Sequence, residues 1–259
     1  MLRAVIGSTL FYIYLLIYTP LYASMVVLLV PFFNVRRRYI IANYFNYQLI
    51  CAVRLLCGLK WEIKGAENLP APDSGSIILA NHESAWETHA VAGLMIPRQL
   101  CLVFKKEITY IPFFGWAMSA LEMIPIDRSK GVEAFEQVRE RGGQRLKEGA
   151  WMLFFPEGTR VHPKEKKRYK TGGTRLAVAT NVKVVPIAHN AADFWGKNKF
   201  LKKAGTITFS IGKPIHPEGH DADSMMQAVE EWIRGELRVI SPNRPEPVER
   251  VRTDKPAAQ

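Results

Sequence analysis

The sequence predicts an α/β protein: a largely parallel central sheet flanked by helices, preceded by an N-terminal two-helix membrane anchor. Three observations carry this reading. From residue 60 onward, short apolar runs of strand length alternate with segments of helical periodicity. Turn residues separate them, and residues 4–33 contain no charged side chain. Alternation of this kind marks βαβ units, whose parallel strands are buried on both faces and whose functional groups gather at the strands' carboxyl ends.

The uncharged run exceeds the roughly 20 residues that a membrane-crossing helix needs. Arg3 precedes it and Arg36-Arg37-Arg38 follow it. It is longer than the apolar region of a secretory signal, and no small-x-small cleavage site follows a compact core. Pro20 is expected to split it into two arms, so a kinked span and a shallow re-entrant pair both stay open. Residues 39–59, with Arg54 as their one charge, read as a second, amphipathic helix. The three arginines between these segments suit anionic headgroups, at about 1 kcal/mol for each basic residue near the surface.

Strands are expected at residues 61–65, 76–80, 100–104, 122–126, 151–155, 182–188 and 205–211. Helices are expected from Ser84, over 131–148 with a stop at Gly149, over 173–180 and over 222–239. The chain thus divides into hydrophobic anchoring helices (1–59), an α/β domain (60–240) and a tail (241–259) whose proline, charge and small residues predict disorder.

Composition narrows the function. Hydrophobic residues make up 48% of the 259, enough for a sizeable core. Lys and Arg number 35 against 24 Asp and Glu, a net charge of +11. Such a chain needs an acidic counterpart: an anionic membrane surface, a phosphorylated substrate or nucleic acid. No nucleic-acid-binding motif accompanies the charge, which sets nucleic acid aside. Cys51, Cys57 and Cys101 form neither a CxxC pair nor a disulfide framework, and read as reduced thiols. His89, His162, His189, His216 and His220 lack metal-ligand spacing with one another, so no metal is expected.

Two segments follow strands and carry chemistry. In Asn81-His82-Glu83-Ser84-Ala85-Trp86-Glu87, His82 and Glu87 lie five apart, about 140° around a helix axis, and cannot meet on one regular helix. They meet if His82 lies in the turn before the helix and Glu87 rises from its first turn. Ser84 then suits the N-cap with Glu87 at the third helical position. The same pattern is a capping box in which Glu87 bonds back to the Ser84 backbone. From these residues alone, the cap and the catalytic pair are both open.

Asn81-His82 with Glu87 resembles the NHx4D motif of the glycerolipid acyltransferase family. Phe155-Pro156-Glu157-Gly158-Thr159-Arg160 resembles its FPEGTR motif, and Val185-Pro186-Ile187 its apolar-proline motif. Phe104-Lys105-Lys106-Glu107, Ile111-Pro112-Phe113-Phe114-Gly115 and Ile126-Asp127-Arg128 are similar to its second motif region. The blocks stand in the family's order over residues 76–211. Glu87 departs from the family's usual Asp. It accepts an imidazole N–H equally well but adds a methylene. Acyltransferases of lipid A biosynthesis also resemble HxxxxD/E enzymes, and the intact FPEGTR block argues against them.

The resemblance implies transfer of a fatty acyl group from a thioester, acyl-CoA or acyl carrier protein, to the sn-2 hydroxyl of lysophosphatidic acid. No resident cofactor is implied. His82 is the expected general base and Glu87 the group that orients it. Arg160 is the first choice for the acceptor phosphate, with Arg128 and Lys105 converging from neighbouring strand ends. Glu157 is expected to organise its loop, Gly158 to let backbone approach ligand, and Thr159 to complete the motif. An ion pair between Arg160 and Glu157 is the structural alternative. The basic run from Arg160 to Lys170 faces solvent, headgroups, or the phosphates or acidic surface of the donor. The expected location is the cell inner membrane, with the catalytic domain on its cytoplasmic face. Acylation of another lyso-lipid or of glycerol phosphate, and non-catalytic lipid binding, are the alternatives.

Overall fold

The computed structural model of the protein describes residues 2–249, leaving the side chains of Arg128 and Glu249 undescribed. Two long helices, α1 (Leu2–Leu28) and α2 (Val35–Cys57), come first. The body then runs β1 (Leu59–Lys64), β2 (Ile77–Ala80), α3 (Trp86–Leu94), β3 (Leu100–Lys105), α4 (Phe114–Ala120) and β4 (Ile124–Ile126). It continues through α5 (Gly131–Lys147), β5 (Trp151–Phe154), β6 (Glu165–Lys166), α6 (Gly172–Thr180) and β7 (Val184–His189), and ends with β8 (Gly205–Ile211), α7 (Ala222–Ile240) and β9 (Val248–Glu249).

Seven strands form one sheet in the order β1-β8-β7-β2-β5-β3-β4. The five from β7 to β4 are mutually parallel, and β8 turns antiparallel to β7 while pairing in parallel with β1. Side chains alternate across a strand, and β2 shows the consequence. Ile78 and Ala80 enter the core shared with α1, α2, α3 and α4, while Ile77 and Leu79 enter the core shared with α5, α6 and α7. The result is a helix–sheet–helix sandwich with β2 near its middle. Sequence alternation anticipated all seven strands to within a few residues. At 122–126 the strand starts late because Glu122 has φ of 55°, which no strand residue adopts. The short α4 was not anticipated, since Pro112 and Gly115 punctuate its start.

The N-terminal region differs from expectation at Pro20. It does not split the apolar run: α1 continues through it for 27 residues. Proline removes one backbone donor, and the helix around it is held by contacts within α1 and to α2. Tyr22 donates its hydroxyl to Ile41 O at 2.5 Å, Tyr18 donates to Gln48, and Ser24 Oγ donates back to Pro20 O at 2.8 Å. Since Gly7 touches Leu56 while Tyr22 reaches Ile41, the two helices form an antiparallel hairpin. Helix α2 starts earlier than expected, capped by Asn34 Oδ1 accepting from Arg37 N at 3.0 Å, and ends at left-handed Gly58. Arg38 is buried against Glu122 at 3.7 Å and so turns to protein, while Arg36 pairs with Asp73 at 3.3 Å on the exposed surface.

The hairpin is fastened to the domain. Helix α2 lies on α3 so closely that a Cβ on Gly93 would stand 2.6 Å from Tyr47 N. Ser8 accepts the Lys202 N–H at 3.0 Å, and the Lys202 ammonium sits 3.7 Å from the Tyr12 ring centre, 4.7 Å from Trp195 and 5.1 Å from Phe11. The opposite stripe of α1, including Leu2, Ile6, Leu10, Ile13, Ile17 and Leu21, is exposed.

Residues 241–249, expected to be disordered, instead cross the domain and pair β9 with β6 in parallel. Buried ionic contacts at Arg244 hold them, a signal that proline-rich composition hides. Residues 250–259 lie outside the described residues.

Candidate active site

Strand β2 is the source of the site. It ends at Ala80 between the carboxyl ends of β5 and β7, and the next two residues are Asn81 and His82. Asn81 is clamped to the end of β7: its Nδ2 donates to His189 O at 3.0 Å and its Oδ1 accepts from His189 N at 3.0 Å. His189 Nε2 donates to Asn81 O at 2.7 Å, while its Nδ1 accepts from Ala191 N at 3.3 Å. That pattern defines a neutral tautomer, and burial lowers the His189 pKa despite the opposing pull of Glu87.

His82 then turns out of the sheet, its side chain 18% exposed, and meets Glu87, which has no exposed side-chain surface. Nδ1 of His82 lies 2.7 Å from Glu87 Oε1. The same oxygen accepts from Glu83 N and Ser84 N, each at 3.0 Å. Burial pushes the Glu87 carboxyl up, but the hydrogen bonds from His82 and the Ser84 N–H outweigh it and hold its pKa below the ordinary value. One oxygen of Glu87 makes the contacts that both sequence readings require: it accepts from the Ser84 backbone and meets the imidazole. The cap itself falls one residue late. Ala85 occupies the N-cap position, and Ser84 Oγ accepts from Trp86 N at 3.1 Å. The methylene that distinguishes Glu from Asp lets a carboxylate on the second helical residue reach back over this turn.

The segment after β5 closes over the turn. Phe155 stacks on the His82 ring at 4.0 Å between centres and 14° between planes. Gly158 N donates to Phe155 O at 2.9 Å, closing a tight turn in which Gly158 has φ of 69°, a left-handed value suited to glycine. Its Cβ position faces Lys170, so the turn itself explains the glycine. Val161 N donates to His82 O at 2.7 Å, and Glu157 Oε1 accepts the His82 N–H at 3.2 Å. Glu157 thus organises the loop as expected. Its other oxygen has no hydrogen-bond partner among the described residues, so the Arg160 ion pair is not formed. Burial drives the Glu157 carboxyl up to about 8.

The expected phosphate-binding residues lie at neighbouring strand ends. Lys105 closes β3, is exposed and pairs with Glu107 at 2.8 Å; it stands in register with Ile126, two residues before Arg128. The side chain of Arg128 lies outside the described residues. Thr159 is exposed and Arg160 half-buried, with its charge reaching Tyr12 of α1. Lys105 is not in contact with the His82–Glu87 pair. Sequence reasoning missed the Asn81–His189 clamp, whose partners are 108 residues apart, and the buried Glu83–Arg244 pair. Among the described residues, no group of His, Cys, Asp and Glu is arranged to hold a metal ion.

An imidazole bonded to a buried carboxylate at the head of a central parallel strand is an arrangement that general-base chemistry can use. Residues 60–190 match the family described as Acyltransferase, and the chain belongs to that family. It is 39% identical over 213 residues to the 1-acyl-sn-glycerol-3-phosphate acyltransferase of Pseudomonas aeruginosa, covering 81% of each chain. It is 27% identical over 202 residues to the human 1-acyl-sn-glycerol-3-phosphate acyltransferase alpha, covering 77% of this chain and 70% of the relative. Its fold resembles the crystal structure of the 1-acyl-sn-glycerophosphate (LPA) acyltransferase PlsC from Thermotoga maritima, with TM-score 0.75 and 21% identity, covering 91% of this chain and 95% of that one.

Proposed function

We propose that the protein transfers a fatty acyl group from an acyl thioester to the sn-2 hydroxyl of lysophosphatidic acid, giving phosphatidic acid, with His82 as general base. The observation that carries the reading is the 2.7 Å contact of His82 Nδ1 with Glu87 Oε1. A carboxylate only accepts, so Nδ1 carries the hydrogen and Nε2 presents its lone pair. Nε2 takes the hydroxyl proton as the lipid oxygen attacks the thioester carbonyl. The new C–O bond forms, the C–S bond breaks, and the proton passes from the imidazolium to the departing thiolate. Glu87 stabilises the imidazolium between these steps. The relatives named as 1-acyl-sn-glycerol-3-phosphate acyltransferases support the acceptor.

Arg160 binds the acceptor phosphate, assisted by Lys105 and Arg128, which share the same edge of strand ends. Thr159 and Gly158 shape that loop, and Glu157 holds it to the His82 backbone. The donor is acyl-CoA or an acyl carrier protein thioester.

The hairpin supports an interfacial anchor. Helices α1 and α2 are both apolar enough by composition to cross a membrane. Both are also packed lengthwise on the domain, so the exposed α1 stripe rests in one leaflet and brings the lipid acceptor to His82. The three free thiols and the thioester donor suit the cytoplasmic face of the inner membrane.

The test is purified protein in phosphatidylcholine–phosphatidylglycerol vesicles, with lysophosphatidic acid or glycerol 3-phosphate offered against acyl-CoA or acyl carrier protein. Phosphatidic acid from the first acceptor, abolished by His82→Ala with lipid binding retained, is expected. Full turnover in His82→Ala would overturn the base.

A further inference from the structure

Of the charged groups around the catalytic turn, Arg244 is one that the acyl transfer derived above does not use. It lies beyond α7 in a strap tied at both ends. Ser241 Oγ donates to Asp193 Oδ2 at 2.5 Å, and Val248 N donates to Lys164 O at 3.0 Å. Between these ties Arg244 turns inward, its side chain 9% exposed. Nη1 donates to Glu83 Oε1 at 2.6 Å, and Nη2 donates to Asp193 Oδ1 at 3.1 Å. The strap walls a cavity of about 240 Å³ whose other side includes Asn81, Glu83 and Glu157.

Glu83 is the reason this matters for the reaction. It stands between His82 and Ser84, and its N–H is one of three groups gathered on Glu87 Oε1. Its carboxyl is almost fully buried, and Arg244 is the cation paired with it. A buried carboxylate without its counter-ion either takes up a proton or moves towards water. Movement would drag the turn whose backbone and imidazole share one oxygen of Glu87.

We propose that Arg244 is a positioning residue for acyl transfer: through Glu83 it holds the His82–Ser84 turn where Glu87 can orient the imidazole. The inference rests on the reading of His82 as general base. It assigns residues 241–249 to the catalytic unit, although the matched family region ends at residue 190.

The experiment uses the full chain in vesicles with lysophosphatidic acid and acyl-CoA, with thermal melting as a check on folding. Arg244→Met is expected to lower kcat about tenfold or more, as small misplacements of catalytic groups do, with KM for the acceptor within about twofold. Arg244→Lys restores the charge and recovers part of kcat. In Glu83→Gln/Arg244→Met the buried charge is gone with its partner, and most of the lost kcat returns. Unchanged kcat in Arg244→Met beside an inactive His82→Ala would overturn the proposal. So would a loss confined to KM, or a folded double variant as slow as Arg244→Met. If Arg244→Met alone fails to fold, the double variant decides in the same way. An active His82→Ala would instead remove the base reading on which the inference stands.

Discussion

Asn81 and His189 exchange three hydrogen bonds of 2.7–3.0 Å across the carboxyl ends of β2 and β7. Every polar group of this clamp is buried, and His189 Nε2 also lies 3.9 Å from the second oxygen of Glu87. Asn81 thus fixes the chain immediately before His82. Asn81→Ala leaves the His189 N–H and C=O without their partner, at about 1–3 kcal/mol for each unsatisfied group. A lower melting temperature and a kcat reduced about tenfold are expected. Retained stability and activity in Asn81→Ala would show the clamp to be incidental.

One oxygen of Glu87 meets both the backbone of the turn and the His82 ring, and two substitutions separate capping from the proposed catalytic role. Glu87→Gln keeps an acceptor for the Glu83 and Ser84 N–H groups but removes the charge facing His82. Activity is expected to fall at least about 100-fold while the melting temperature changes little. Glu87→Asp keeps the charge but shortens the reach by a methylene from the second residue of α3. It is expected to lose both stability and kcat. Full activity in the Gln variant would leave Glu87 a cap alone.

The strands and the two motif segments were legible because their causes are local: apolar alternation, turn residues and contiguous motifs. The five-residue spacing left the meeting of His82 with Glu87 open beside a simple cap, and the family resemblance was what favoured it. What escaped depends on distant parts of the chain. Nothing local in Asn81 announces His189, and nothing in the proline-rich stretch around Arg244 announces a buried Glu83. Pro20 misled for a related reason. Its cost to an isolated helix is fixed by chemistry, but in the fold α1 is also packed along α2 and stays continuous. Arg38 was read as a headgroup contact because Glu122 is distant in sequence.

Glu157 links the loop to pH. Burial raises its pKa from the ordinary 4.5 to about 8, so the folded state holds the proton more tightly than the unfolded chain. The associated stability is present in full below pH 4.5 and is lost as pH rises towards 8, at about 1.4 kcal/mol per pH unit within that window. Gln retains an oxygen for the His82 N–H and cannot ionise. Glu157→Gln is therefore expected to match the native protein near pH 4 and exceed its denaturation midpoint at pH 8. Parallel stability curves for the two proteins between pH 5 and 8 would contradict the raised pKa.

The two faces of α1 should respond to mutation in opposite ways. On the inner face, a Cβ at Gly7 would stand 2.2 Å from Leu56 O, a backbone atom that cannot step aside. Gly7→Ala must push the hairpin apart, at about 1–3 kcal/mol of stability, and lower the melting temperature even in detergent without lipid. On the outer face, Leu16 is 76% exposed and Ile17 58%, so the fold gains little from them. A leaflet would gain about 1.5–3 kcal/mol from each. Leu16→Ser/Ile17→Ser is expected to leave melting in detergent unchanged while weakening vesicle binding about 100-fold, measured by co-flotation. Acceptor presented in vesicles would then be used more slowly, and acceptor dispersed in detergent at the native rate. A double variant that floats with vesicles as the native protein does would remove the exposed stripe from the anchor.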